Sequence, residues 1–200
     1  MGLRELKRER TRRLIADKAF ELFTDHGFGR TTVEQVAAAA EVGPSTVYRY
    51  FPTKETLVLE FVEQSLFGAL DWLREQPADL ALPVALEEVI ERVLDHFERS
   101  PDRVRAVYDL AEQTPSLGAH LTDAIWRWRK ELTTELGRRL SLADGTAELT
   151  AALAAGVTMN IIEITVHLWV GNPDGPTAKE LTAQALTLLH NGLPLPGSRG

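Results

Sequence analysis

Residues 31–57 read TTVEQVAAAAEVGPSTVYRYFPTKETL, and the spacing within them decides the fold. Val33, Val36, Ala37 and Ala40 recur at i, i+3, i+4 and i+7, which puts one apolar stripe on a short helix. Thr31 with Glu34, and Thr32 with Gln35, both have capping-box spacing, in which a hydroxyl and a carboxylate or amide satisfy the orphan amides of a first helical turn. The run of alanines carries little bulk, so another helix can cross closely there. Glu41, Val42 and Gly43 break the stripe. Pro44, with a fixed φ and no amide donor, then suits the first position of a new helix.

A turn of about three residues between two short helices is helix-turn-helix spacing. In the second helix Val47 and Phe51 can face inward, which leaves Ser45, Thr46, Tyr48 and Arg49 on the outside. Short hydroxyls, a phenol and a guanidinium hydrogen-bond phosphates and base edges, and the arginine fork matches guanine in the major groove. The stretch reads as a DNA-reading motif.

The pattern T-T-V-x-x-V-A-x-x-A-x-V-x-x-S-T-V-Y-R-Y-F-x-x-K-E-x-L resembles the DNA-binding domain of the TetR family of bacterial transcriptional regulators. The resemblance covers residues 12–57 strongly, and the remainder by length, helical layout and the Leu-rich final helix. It implies that Thr31 or Thr32 holds a phosphate at the start of the first helix. It also implies that Pro44, Ser45, Thr46, Arg49 and Tyr50 face the major groove, while Tyr48 and Lys54 grip the backbone. Two positions depart from the family pattern. Glu41 stands where Gly is usual and asks a non-Gly residue to take a left-handed conformation; Gly43 stands where a Ser-type cap is usual and gives up a side-chain cap.

Two hundred residues, 44% of them hydrophobic, suit one large domain or a small one joined to a larger one. With no cysteine, disulfides, thiolate metal sites and cysteine nucleophiles are excluded. The charged N-terminus has no apolar core of a signal peptide, so a cytoplasmic protein is expected. The longest apolar region, 149–170, contains Asn160, Glu163 and His167, which are costly in a bilayer; it reads as a bundle helix, with no membrane partner. The net charge of −7 is unevenly placed. Residues 1–54 hold 10 Lys plus Arg against 7 Asp plus Glu, leaving 12 against 22 for the rest, so a basic N-terminal segment sits on an acidic body.

Around the motif, residues 11–26 carry Ile15, Ala19, Leu22 and Phe23 at helical spacing, with Gly27 placed as a C-cap. The basic run 1–13 reads either as an arm or helical extension along DNA, or as a solvated terminus. Thr53 caps a helix expected over 54–75, about 33 Å long, that links the head to the body. Further helices are expected over 84–97, after Ser100-Pro101-Asp102, over 115–140, over 147–170 after the turn at Asp144-Gly145-Thr146, and over 177–191. Trp128 falls in the core stripe of the helix 115–140 and Trp126 falls outside it, at a pocket, an interface or the surface. The expected fold is all-α: a three-helix helix-turn-helix domain over 1–55, joined by a long helix to a ligand-binding and dimerisation domain over 56–193, with a disordered tail over 194–200.

The helix 147–170 is apolar around most of its circumference, and the last helix offers a second Leu/Ala stripe. Either two copies form a four-helix homodimer interface, or both helices complete a monomeric core. A dimer carries two reading heads, which predicts a palindromic operator on double-stranded DNA. Phe97, Tyr108, Trp126, Asn160, Glu163 and His167 are candidate effector-binding groups. Three of them, Asn160, Glu163 and His167, share one helix face, although Glu163 and His167 can also pair for structure alone. Glu163 favours a small cationic or donor-bearing effector with an apolar body. No enzyme is expected: a di-iron bundle needs paired Glu-x-x-His motifs, and the sequence has no Gly-rich phosphate loop or nucleophile elbow, so neither metal nor cofactor is called for. The expected activity is ligand-responsive repression, with activation or ligand-independent DNA binding as the alternatives.

Overall fold

The structure, a computed structural model, describes residues 2–140 and 146–192. Among them every regular element is an α-helix: α1 Leu3–His26, α2 Val33–Ala39, α3 Pro44–Tyr50, α4 Lys54–Glu75, α5 Leu82–Glu98, α6 Pro101–Gln113, α7 Pro115–Arg139, α8 Ala147–Gly171 and α9 Ala178–Asn191. The turn proposed at 144–145 and the tail proposed at 194–200 lie outside the described residues. The chain divides into two compact units, one of Met1–Gln64 with Asp102–Ala124, the other of Ser65–Pro101 with Ile125–Gly200.

The first unit is built around a small core. From α1 come Ile15, Ala16, Ala19 and Phe23, from α2 Val33, Val36 and Ala37, from α3 Val47, and from the start of α4 Leu57 and Val58; all are buried. Helix α1 begins at Leu3, eight residues before the stretch 11–26 in which the sequence places it, and at its start the Gly2 amide donates to Glu5 Oε2 at 2.9 Å, the glutamate half of a capping box. It ends at Gly27, whose φ of +86° and amide bond to the Phe23 carbonyl at 3.0 Å turn the chain out of the helix. On α6, Arg103 lies over the Phe20 and Phe61 rings, 4.9 and 5.0 Å from their centroids, and donates to Asp17 at 2.7 Å. That contact ties α6 to α1.

The second unit is a helical bundle in which α5, α8 and α9 pack on one another. Helix α5 starts at Leu82, two residues earlier than its stripe suggests, since Pro83 is tolerated in a first turn where no amide partner is needed. It buries Ala85, Val89, Ile90, Val93, Leu94 and Phe97. Trp128 of α7 is fully buried, and its indole nitrogen donates to the Leu66 carbonyl at 2.6 Å, which satisfies its one polar atom. Arg139, held by Glu135 at 2.9 Å, donates to the carbonyls of Pro77 at 3.0 Å, Gln76 at 3.2 Å and Leu73. A cation there satisfies orphan carbonyls at the end of α4.

Helix α8 is apolar on two opposite faces. Ala151, Ala155, Thr158, Met159, Ile161, Ile162, Thr165 and Val166 face the core. Leu149, Leu153, Val157, Ile164 and Leu168 recur at intervals of four or seven on the other side and are 40–62% exposed. By length and composition α8 is apolar enough to cross a membrane. Its inner face, however, is core. On α9 the buried residues are Ala178 and Thr182, while Leu188 and Leu189 point outward.

Candidate nucleic-acid interface

Helix α2 starts where the sequence places it, with one of its two possible caps in use. Thr32 Oγ1 accepts from the Gln35 amide at 3.2 Å, and Gln35 Oε1 accepts from the Thr32 amide at 2.8 Å. Thr31 is instead buried, its hydroxyl facing the Leu22 carbonyl at 3.1 Å and the Gly27 carbonyl at 3.0 Å. Of the two threonines offered for a phosphate, only Thr32 is exposed.

The turn out of α2 is a Schellman motif. Val42 donates to the Ala37 carbonyl at 2.9 Å and Glu41 to the Ala38 carbonyl at 3.2 Å, with Glu41 at φ 55°. Glu41 takes the left-handed conformation that the sequence demands of it. Gly43 precedes α3 in an extended conformation without a side-chain cap, and Pro44 opens the helix.

Seven residues make up α3. Val47 is its buried anchor, and Phe51 just beyond it is also buried. Pro44, Ser45, Tyr48 and Arg49 are exposed, with Thr46 and Tyr50 half-buried. Arg49 lies 5.4 Å from the centroid of the Tyr50 ring. The outward face thus offers two hydroxyls, two phenols and a guanidinium, a set that can bond both phosphate oxygens and base edges.

Two cations hold this face in place. Lys54 donates to the carbonyls of Phe28 at 2.7 Å and Thr31 at 2.9 Å and lies 4.5 Å over the Phe28 ring, so its ammonium is turned toward the α1–α2 loop. Arg12 makes a two-pronged ion pair with Glu60, donates to the Tyr50 carbonyl at 3.4 Å and lies 4.8 Å over the Phe51 ring. The hydrogen bond to Glu60 raises the Arg12 pKa above its ordinary value despite partial burial. Neither Arg12 nor Glu60 was singled out by sequence reasoning. The available signal was Glu60 itself, a carboxylate inside the apolar run LVLEFV.

The candidate effector groups are divided between the two units. Phe97 belongs to the core of the second unit, and Tyr108 is half-buried on α6 in the first unit. Asn160 and His167 are exposed on the outward stripe of α8, with Glu163 half-buried beside it. Burial pushes the Glu163 carboxyl above its usual range, and the Arg129 charge opposes this. Trp126 is 58% exposed, carries Arg129 at 4.6 Å over its ring, and lines a surface cleft of about 370 Å³ with Arg129, Lys130 and Thr133.

Comparison with known proteins agrees with this geometry. Residues 15–61 match the family described as bacterial regulatory proteins, tetR family, and residues 80–194 match the MftR C-terminal domain. The HTH-type transcriptional regulator TcmR of Streptomyces glaucescens is 34% identical over 72% of this chain and 65% of its own length. The HTH-type transcriptional repressor Rv3405c of Mycobacterium tuberculosis is 32% identical over 70% of each chain. Among solved structures, FadR of Thermus thermophilus in complex with lauroyl-CoA shares the fold at a TM-score of 0.58 and 24% identity, over 94% of this chain and all of that one. FadR of Bacillus subtilis with stearoyl-CoA aligns at a TM-score of 0.61 and 21% identity, over 90% and 98%. The matched N-terminal and C-terminal regions together take in most of the chain, which is a member of the TetR family of helix-turn-helix transcriptional regulators.

Proposed function

We propose that this regulator is a cytoplasmic homodimeric repressor that binds a palindromic operator and leaves it when a small effector binds the body of the protein. The observation that carries the reading is the outward face of α3, with Ser45, Thr46, Tyr48, Arg49 and Tyr50 around a buried Val47. In this reading Arg49 reads a base edge, Pro44, Ser45, Thr46 and Tyr50 fit the groove wall, and Thr32 and Tyr48 hold phosphates. Lys54 holds the loop that presents Thr32. Residues 1–55 act as the reading head and 56–193 as the effector-binding and dimerisation part.

The outward stripes of α8 and α9 support the dimer. Leu149, Leu153, Val157, Ile164, Leu168, Leu188 and Leu189 are large, apolar and exposed in the single chain. Two copies of such a pair bury them as a four-helix interface about a two-fold axis. Asn160 and His167 lie on the same stripe and so belong to this interface, not to a pocket. Repression is the direction carried by the relatives named as repressors.

The effector reading rests on two of the candidates, Trp126 and Glu163, and on Arg129, which lies over the Trp126 ring and acts on the Glu163 carboxyl. A ligand there releases DNA only by binding the non-DNA-binding arrangement more tightly. The Arg129 charge already partly balances the Glu163 carboxylate, so the effector is an apolar molecule with a polar end rather than a simple cation. Light scattering of Ile164→Asp tests the interface: the parent runs as a dimer and the variant as a folded monomer. A variant that stays dimeric would move the interface elsewhere.

A further inference from the structure

We propose that the first three turns of α1 are a second DNA contact, in which Arg4, Lys7 and Arg8 bind the phosphodiester strand that flanks the recognition helix. The inference rests on the regulator reading above and adds a surface to it.

Residues 3–10 are helical, yet every one of them is exposed, and the first buried residue of α1 is Ile15. A helical segment with no buried residue of its own is marginal in water, and here its support is the Gly2–Glu5 bond at its start and the contacts of Glu9 with Gln64 at 3.4 Å and Arg13 at 3.8 Å. Arg4, Lys7, Arg8 and Thr11 fall at i, i+3, i+4 and i+7, so they form one face. That face does not stand alone. Together with Glu5 and with Arg49 and Tyr50 of α3 it lines an open cleft of about 680 Å³. One carboxylate, Glu5, lines the cleft, and it is engaged by the Gly2 amide at 2.9 Å. Among the described residues, none of Arg4, Lys7 and Arg8 is ion-paired.

The cleft therefore sets four cations against a single carboxylate that is already engaged, and one of the four is the recognition-helix arginine. A polyanion running past Arg49 is what such a surface fits. The rise from Arg4 to Arg8 is about 6 Å along the helix, so the two guanidiniums can meet different phosphates of one strand. Leu3 and Leu6, though exposed, fall on a different face of the helix, as do Arg10 and Arg13. This gives an internal control, because charge can be removed from either face with alanine, which keeps the helix.

The test is fluorescence anisotropy of the full chain on its own upstream DNA and on a scrambled duplex, across a series of salt concentrations. For R4A/K7A/R8A we expect lower affinity for both duplexes by the same factor. The slope of log affinity against log salt should become shallower by about 2 to 3, near 0.9 for each phosphate no longer neutralised. For R10A/R13A the slope should stay at the parent value. An unchanged slope in the triple variant, with its helix content intact by circular dichroism, overturns the inference. An equal fall in affinity in both variants also overturns it, since it would report net charge and not a local site. The slope is read on scrambled DNA as well, so the arm can fail while the regulator reading stands. A parent that shows no preference for its upstream DNA instead strikes the regulator reading.

Discussion

Arg12 on α1 and Glu60 on α4, 48 residues apart, meet as a two-pronged ion pair, and the third nitrogen of the same guanidinium reaches the last carbonyl of α3, that of Tyr50. The pair is the joint at which α1, α3 and α4 are set relative to one another. Glu60 is almost wholly buried, with Gln64 donating to it at 2.8 Å, so its charge has no solvent to fall back on.

Removing Glu60 leaves a half-buried guanidinium unpaired. Breaking a buried pair costs about 3–5 kcal/mol, and the one-third exposure of Arg12 reduces this, so Glu60→Ala should lose about 2–4 kcal/mol in chemical denaturation. A loss below about 1 kcal/mol would show that the joint does not hold the head together.

Lys54 is turned into the protein. Lys54→Met keeps a side chain of similar reach but removes the ammonium over the Phe28 ring and its two bonds to the Phe28 and Thr31 carbonyls, at a cost of about 1.5–3 kcal/mol in stability. The salt slope of DNA binding should change by less than about one. A stable variant whose slope falls by one would restore Lys54 to the phosphate contacts.

Glu41 occupies the left-handed position of the Schellman turn, a conformation that costs a non-Gly residue roughly 1–2 kcal/mol. Part of that is offset by the greater unfolded-state freedom of glycine. Glu41→Gly should therefore raise stability by up to about 1 kcal/mol with sequence preference unchanged, as read by thermal unfolding and anisotropy. Destabilisation would mean that the Glu41 side chain has a role beyond its backbone.

Glu163 should give the stability a pH dependence. Burial raises its folded pKa above the unfolded value, against the pull of Arg129, so the native state holds the proton to higher pH. Its stabilising share is present below the ordinary carboxylate range and is lost as pH rises through the raised value. Glu163→Gln should thus raise the Tm at pH 7 relative to the parent and change it least near pH 3. An equal shift at both pH values would tie the effect to packing alone.

The head was legible in the sequence because its signals are local. Capping spacing, the Val33/Val36/Ala37/Ala40 stripe, Pro44 and the Val47/Phe51 pair all act within a few residues, and each recurs in the structure. The contacts that position the head were not legible. Arg12–Glu60 and Arg103–Asp17 join residues 48 and 86 apart, and nothing in either segment names its partner. The choice between Thr31 and Thr32 also depended on tertiary contact, since both have the same spacing and only the buried Leu22 and Gly27 carbonyls separate them. The role of the polar groups on α8 was open in the sequence for a related reason. A helix apolar on both faces gives no periodic signal for which side is core, and the structure adds that Asn160 and His167 lie on the outer face.

The measurement that tests the central claim most directly is anisotropy titration of the protein on its own upstream DNA against a scrambled duplex at two salt concentrations, with Arg49→Ala alongside. The account predicts saturation at two chains per palindrome and a preference for the upstream DNA that survives the higher salt. It also predicts that Arg49→Ala loses about 1–3 kcal/mol of that preference. Equal binding to both duplexes, abolished by salt and indifferent to Arg49, would reduce the interaction to phosphate attraction and contradict it.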